Sequence, residues 1–140
     1  MFEWNDVPVA ISVIGRQIGR NTKKAYRLSR LVVLPDYQGL GIGSKISDFC
    51  AGIMINEDSK YYIKTVNPAL GEYNNKSENW QPTAFNGKIR EKTERENKYT
   101  TLRTQPSYCH QYIGKSIDGY EKLLLPISEM RIKEVIHNFF

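Results

Sequence analysis

The chain has 140 residues, 40% of them hydrophobic, with 20 lysines and arginines against 15 aspartates and glutamates, for a net charge of +5. That length supports one domain spanning 1–140 with one core, and no internal repeat or long low-complexity segment points to a second. No apolar run approaches the ~20 residues of a membrane helix, and the opening MFEWNDVPVA lacks the basic and apolar sections of a secretory signal, so the expectation is a cytoplasmic protein with no membrane partner.

Two cysteines, Cys50 and Cys109, do not make a disulfide framework and read as reduced core thiols. His110 and His137 lie far apart and are not spaced with cysteines or carboxylates as a metal site requires, so no metal is expected. The excess positive charge attracts polyanions without choosing among them.

Along the chain, the turn signal Asn5-Asp6 precedes a strand at Val9 to Ile14, and Gly15 to Lys24 reads as a basic connection. Tyr26 to Leu34 is a second strand. Its last four residues, Leu31, Val32, Val33 and Leu34, are apolar on consecutive positions, as in a strand covered on both faces, and Pro35 stops it. After Gly39, Gly41 and Gly43, apolar residues at Ile46, Phe49, Cys50, Ile53 and Met54 have the spacing of a helix with one buried face, over residues 44–55. Asn56 to Lys60 is a polar link and Tyr61 to Val66 a third strand. Lys88 to Lys98 is a mixed-charge run without an apolar stripe and reads as solvated. Tyr99 to Arg103 and Ser107 to Ile113 read as two strands joined through Gln105 and Pro106, and Pro126 to Phe140 as a C-terminal amphipathic helix docked on the chain's own sheet. Strands alternating with a helix in this order predict an α/β or α+β sheet rather than a bundle.

The segment from Leu31 to Phe49 carries most of the chemistry. A strand, a proline stop and a glycine-rich turn lead into a helix N-terminus, where unpaired N–H groups and the positive end of the helix dipole favour a phosphate. A Walker A loop is excluded, because its last glycine must precede Lys and then Ser or Thr, and here Gly43 precedes Ser44 and Lys45. A dinucleotide fingerprint fits poorly. It needs GxGxxG and an acidic residue near the end of the next strand, whereas this chain reads GxGxG and its next strand runs to Asn67 without one. A plain strand-to-helix turn, with glycines serving close packing, is a further reading.

The same residues resemble the GNAT superfamily of acyl-CoA-dependent N-acyltransferases, whose signature is Gln or Arg, two residues, Gly, one residue, then Gly or Ala. Gln38, Gly41 and Gly43 match it, and the flanking LVVLPDYQ is similar to the family's fourth strand and its exit. Downstream, Asn67, Ala69, Tyr73 and Trp80 look like the family's Asn, helix and aromatic series, although Asn67 to Tyr73 is one residue shorter than usual. The resemblance implies a mixed central sheet with a helix after the acyl-CoA-binding strand and a C-terminal helix, and acetyl-CoA as co-substrate. It places the pyrophosphate on the amides of Gly39, Leu40, Gly41, Ile42, Gly43 and Ser44, with Gln38 as a further cofactor-binding residue at the head of the motif. The pantetheine arm lies along Leu31, Val32 and Val33, with Asn67 nearby. Tyr73 is the general acid for the leaving thiolate.

The implied reaction is direct attack of an amine acceptor on the thioester, with the acceptor and the general base unassigned; Glu72 and His110 are the candidates for the base. The family places a strand, two helices and another strand before the strand at Val9, so the expectation is a shortened relative or a fragment, and an exposed edge or face left by that loss invites dimerisation. A second reading rests on Arg16, Arg20, Lys23, Lys24, Arg27 and Arg30, a basic cluster ahead of the motif strand: a non-catalytic nucleic-acid or nucleoprotein accessory module.

Overall fold

The computed structural model describes residues 1–17, 24–55, 59–89 and 106–118. The chain opens with a hairpin. Asn5 and Asp6 have φ of 49° and 63°, the left-handed conformation that both central residues of a tight two-residue turn require, and the short polar side chains of Asn and Asp tolerate it. The turn pairs β1 (Phe2–Trp4) with β2 (Val7–Arg16) in antiparallel fashion. The sequence marks this turn but not the strand before it, because three residues are too few to show a period of two.

β2 pairs antiparallel with β3 (Ala25–Val33), and the register slips once: Val13 faces Arg30 while Ile14 faces Leu28, so Ser29 is an extra residue on β3. A bulge of this kind bends the strand and re-aims the residues beyond it. A single 3-10 turn at Pro35–Tyr37 and the glycine segment then lead into α1 (Ile42–Met54), which returns the chain to β4 (Lys60–Thr65), parallel to β3. α1 starts two residues earlier than the apolar spacing indicates, because Gly41 rather than Gly43 is its N-cap.

α2 (Pro68–Lys76) comes directly after β4. Asn67 caps it by accepting from the Leu70 amide at 3.2 Å, Pro68 occupies its first turn, and Lys76 lies at its carbonyl end, each a favourable position. β5 (Trp80–Pro82) and β6 (Tyr108–Tyr112) complete a six-stranded mixed sheet of order β1-β2-β3-β4-β6-β5. The molecule is therefore an α+β structure. β6 pairs with β4 on one edge and with β5 on the other. The sequence-based expectation gave β6 a different neighbour, Tyr99 to Arg103. That segment lies outside the described residues, as do Arg20, Lys23, most of Lys88 to Lys98 and the helix expected over Pro126 to Phe140.

Both helices lie on the same face of the sheet. Leu31 and Val33 approach Gly43 of α1, the Cys50 thiol donates to Ser12 Oγ at 3.4 Å, and the Tyr108 ring and His110 reach α2 at Gly71 and Asn75. Between helices and sheet the core gathers Ala10, Leu28, Ile46, Cys50, Ala51, Tyr61, Ile63, Trp80 and Tyr112. Trp80 joins it edge to face: its ring lies 5.1 Å from that of Tyr112 at 73°, and 6.3 Å from that of Tyr61. Such contacts add about 0.5–1.5 kcal/mol each to the area buried. Both cysteines are free and buried. Among the described residues no helix is long and apolar enough to cross a membrane.

Candidate functional site

The central feature is a wedge between β3 and β4. The two strands are paired only through Ala25–Lys60, Tyr26–Tyr61 and Arg27–Tyr62, next to the bulge at Ser29. Past that point β4 keeps its pairing with β6 through Thr65, while β3 runs on from Leu28 to Val33 with β2 on one edge and no described strand on the other. Among the described residues, alternate N–H and C=O groups of β3 past Arg27 meet no strand on this edge, and they form a row of main-chain donors and acceptors of the kind an extended ligand can pair with.

The wide end of this wedge runs into the glycine turn. The Gln38 side chain folds back, its Nε2 donating to the Val33 carbonyl at 2.8 Å, so it fastens the turn to the end of β3. Gly39 and Gly41 adopt φ of 81° and 74°, a conformation that side chains with a Cβ rarely accept, and this bends the chain from the strand exit into α1. Gly43 differs. Its backbone is ordinary, and a Cβ there would sit 3.6 Å from Val33 and 3.8 Å from Leu31, normal contacts. Neither backbone conformation nor packing demands glycine at this position.

α1 begins without a side-chain cap and without an acidic residue in its first turn. Its leading N–H groups and the positive end of its dipole therefore have no capping side chain and no first-turn carboxylate, next to Leu40, which is 70% exposed. On the β1 side, Phe2, Leu40, Ile42, Lys45, Ile46 and Phe49 line an open groove of about 410 Å³ that borders the turn. The arrangement provides anion donors, a nearby ammonium and an apolar trough in succession.

Tyr73, which the sequence reading places at the leaving group, takes part in a hydrogen-bonded bridge. Tyr73 of α2 donates its hydroxyl proton to Asp48 Oδ2 at 2.5 Å, and Trp80 Nε1 donates to Asp48 Oδ1 at 2.7 Å. One carboxylate on α1 thus ties together α2 and β5. Burial and the adjacent carboxylate push the Tyr73 phenol up to about 12, which keeps it protonated across the neutral range. Ser47 and Asn74, next to this bridge in the chain, are fully buried, with side-chain polar atoms that find no hydrogen-bond partner. Asp48 escaped the sequence reading. The available signal was its standing as the one carboxylate in α1, between the buried Ile46 and Cys50.

Asn67 spends its side-chain oxygen on capping α2 and its N–H on Thr65 Oγ1 at 3.0 Å. Neither candidate base lies free. Glu72 accepts from the Tyr108 hydroxyl at 3.0 Å. His110 is fully buried, with Nε2 at 2.8 Å from Asn75 Oδ1 and Nδ1 without a partner.

With Nε2 donating to the Asn75 oxygen, Nδ1 is the unprotonated nitrogen, and adding a proton there would bury an unmatched N–H and a charge. Burial accordingly lowers the His110 pKa below its ordinary 6.5. The unfolded chain takes up this proton as pH falls below 6.5 while the folded chain resists it, so stability is complete above that pH and declines below it. The thermal midpoint of the chain is expected to fall as pH drops below about 6.5, and to fall less in His110→Gln. Equal pH dependence in the two proteins would contradict the buried neutral imidazole.

Among the described residues no group of three His, Cys, Asp or Glu side chains comes together as a metal site. Comparison with models of known protein families gives no match, and no curated protein matches the sequence.

Proposed function

We propose that this chain is an acyl-CoA-dependent N-acyltransferase that takes acetyl-CoA as donor and an amine as acceptor. The observation that supports this most is the one-sided wedge of β3 running into an uncapped helix N-terminus. An acyl-CoA is a long, narrow molecule with amide groups along its arm, a pyrophosphate in the middle and a thioester at its tip. The edge from Leu31 to Val33, which faces no described strand, is suited to the amides of the arm, and the turn from Gly39 to Ser44 with the first turn of α1 to the pyrophosphate. The element order adds to the case: strand, glycine turn, helix and parallel strand, then a capped helix at Asn67. This is the succession implied by the resemblance to the GNAT superfamily.

Acetyl-CoA supplies the activated acyl group. The chain's part is to hold the thioester against main-chain N–H groups of β3, where each well-placed donor stabilises the developing oxyanion by about 3 to 4 kcal/mol. Tyr73 contributes as a hydrogen-bond donor to the departing sulfur once its hydroxyl turns from Asp48 Oδ2. A phenol held near 12 is a weaker acid than a thiol of ordinary pKa about 8.5, so complete proton transfer runs uphill. β2, β3, β4 and β6 contain no aspartate or glutamate, so the strands bordering the wedge supply no carboxylate base. The acceptor amine reaches the thioester already unprotonated or loses its proton to water.

The test is release of free thiol from acetyl-CoA in the presence of a panel of primary amines: a polyamine, a lysine-containing peptide and an aminoglycoside. Amine-dependent release is expected, with kcat about tenfold lower in Tyr73→Phe at unchanged acetyl-CoA affinity. Undiminished turnover in the variant would remove Tyr73 from the reaction. Bound acetyl-CoA with no amine-dependent release would contradict catalysis.

A further inference from the structure

We infer that the face of the sheet opposite α1 and α2 is a binding surface for single-stranded nucleic acid. Residues directly opposite on paired strands share a face. Ser12 and Leu31 are such a pair and both reach α1, so the neighbouring pair Val13 and Arg30 points to the other side. On β4, Tyr61 belongs to the helix-side core, which places Lys60, Tyr62 and Lys64 on the opposite face, with Gln111 beside Tyr62. Arg27 is the β3 partner of Tyr62.

This arrangement sets Tyr62 inside a ring of cations. Lys60 and Lys64 flank it along its own strand and Arg27 stands on the next, with Arg30 beyond the bulge; all four cations are exposed, and Tyr62 is half-buried. Adjacent strands lie about 4.8 Å apart and Lys60 to Lys64 spans roughly 13 Å, so Lys60, Lys64 and Arg27 stand close to the ring, with Arg30 farther along β3. No carboxylate on these described strands offsets them, since β2, β3, β4 and β6 carry none. Four such cations on one sheet face call for a polyanion. The aromatic ring among them selects its kind, because a base stacks on a tyrosine face while its phosphates reach the surrounding ammonium and guanidinium groups. An acidic peptide would satisfy the cations but has no use for the ring. The exposed Val13, the β2 partner of Arg30, and Val32, two residues past Arg30 on β3, border the cations at the far end of this surface from Tyr62.

The surface is independent of the glycine turn, and its test separates the two. Anisotropy of a fluorescein-labelled oligo-uridine is titrated with the full chain at salt concentrations from about 50 to 200 mM, with poly-L-glutamate as competitor. Saturable binding that weakens steeply with salt is expected. Lys60→Gln combined with Lys64→Gln should weaken it about tenfold and reduce the salt slope by about 1.4, the loss of two phosphate contacts on a single strand. Tyr62→Leu should weaken binding at every salt concentration without changing the slope. Gly43→Glu should leave it unaltered. Thermal midpoints of all variants establish that they are folded, and the two exposed lysines keep the test available if Tyr62→Leu is not. Absence of binding at low salt, unchanged affinity in the double lysine variant, or equal competition by poly-L-glutamate at matched charge would overturn the inference.

Discussion

Replacing Gly43 by glutamate is expected to abolish acetyl-CoA binding measured by calorimetry while leaving the unliganded chain folded, with a thermal midpoint close to that of the parent. The variant is informative because of what glycine does not do at this position. Gly39 and Gly41 have φ of 81° and 74°, so any substitution there strains the turn, and a loss of binding would be ambiguous. At Gly43 the backbone is ordinary, and an added Cβ meets Val33 and Leu31 at 3.6 and 3.8 Å, within normal contact. A carboxylate in the first turn of α1 also suits the helix dipole, which should offset part of any packing cost. What it cannot coexist with is a pyrophosphate on the same amides. Retained affinity in Gly43→Glu would mean that the turn is only a connection between β3 and α1.

Asp48→Ala is expected to be the most destabilising single change in the site region. It strands the Trp80 indole N–H, on a residue only 3% exposed and unable to turn to water, and releases the Tyr73 hydroxyl. An unsatisfied buried donor costs about 1–3 kcal/mol and the lost charged hydrogen bonds add to it, so the loss should be about 2–3 kcal/mol, lowering the midpoint by roughly 6–12 °C. Trp80 fluorescence should shift as its indole loses its acceptor. Tyr73→Phe removes one donor and leaves the Trp80 bond in place, so it should cost about 1 kcal/mol. A midpoint in Asp48→Ala within a degree of the parent would show that the carboxylate does not hold α1, α2 and β5 together. The bridge also bears on chemistry, since the phenol proton that would serve a leaving thiolate is donated to Asp48 in a hydrogen bond in the structure.

What the sequence made legible was local. The apolar run before Pro35, the glycines and the spacing from Ile46 to Met54 together specify a strand, a turn and a helix, and β3, the turn and α1 occur in that order. α2 was expected only through the family resemblance, and the capping signal of Asn67 with Pro68 in the first turn went unused in the sequence reading. β1 and β5 were not readable, because three-residue strands carry no period, and Pro82 within β5 argues against a strand in an interior position; it is tolerated at this edge. β6 was recognisable as a strand, but its partners were not, since pairing across the sheet leaves no mark at the strand itself.

The wedge and the Asp48 bridge depend on the same kind of information. The wedge arises because parallel pairing stops at Arg27 and an extra residue enters at Ser29, neither of which composition or spacing records. Asp48 meets Tyr73 and Trp80 from 25 and 32 positions away, brought together only when α2 and β5 fold back toward α1. Likewise, Arg27 and Arg30 were visible as part of a basic cluster before the motif strand. Their placement on one face with Lys60, Lys64 and Tyr62 emerges only once β3 and β4 lie side by side.

The proposed chemistry depends first on the wedge and glycine turn holding an acyl-CoA. The most direct test is the thermal midpoint of the chain with acetyl-CoA and, beside it, with ATP, at low and at raised salt. At about 100 times the dissociation constant a specific ligand adds roughly 2.7 kcal/mol of stability. An upward shift with acetyl-CoA is expected to survive the added salt and to exceed that with ATP, because the arm along β3 contributes contacts that salt does not screen. No shift, or an equal shift with ATP that salt removes, would contradict an acyl-CoA site in the wedge.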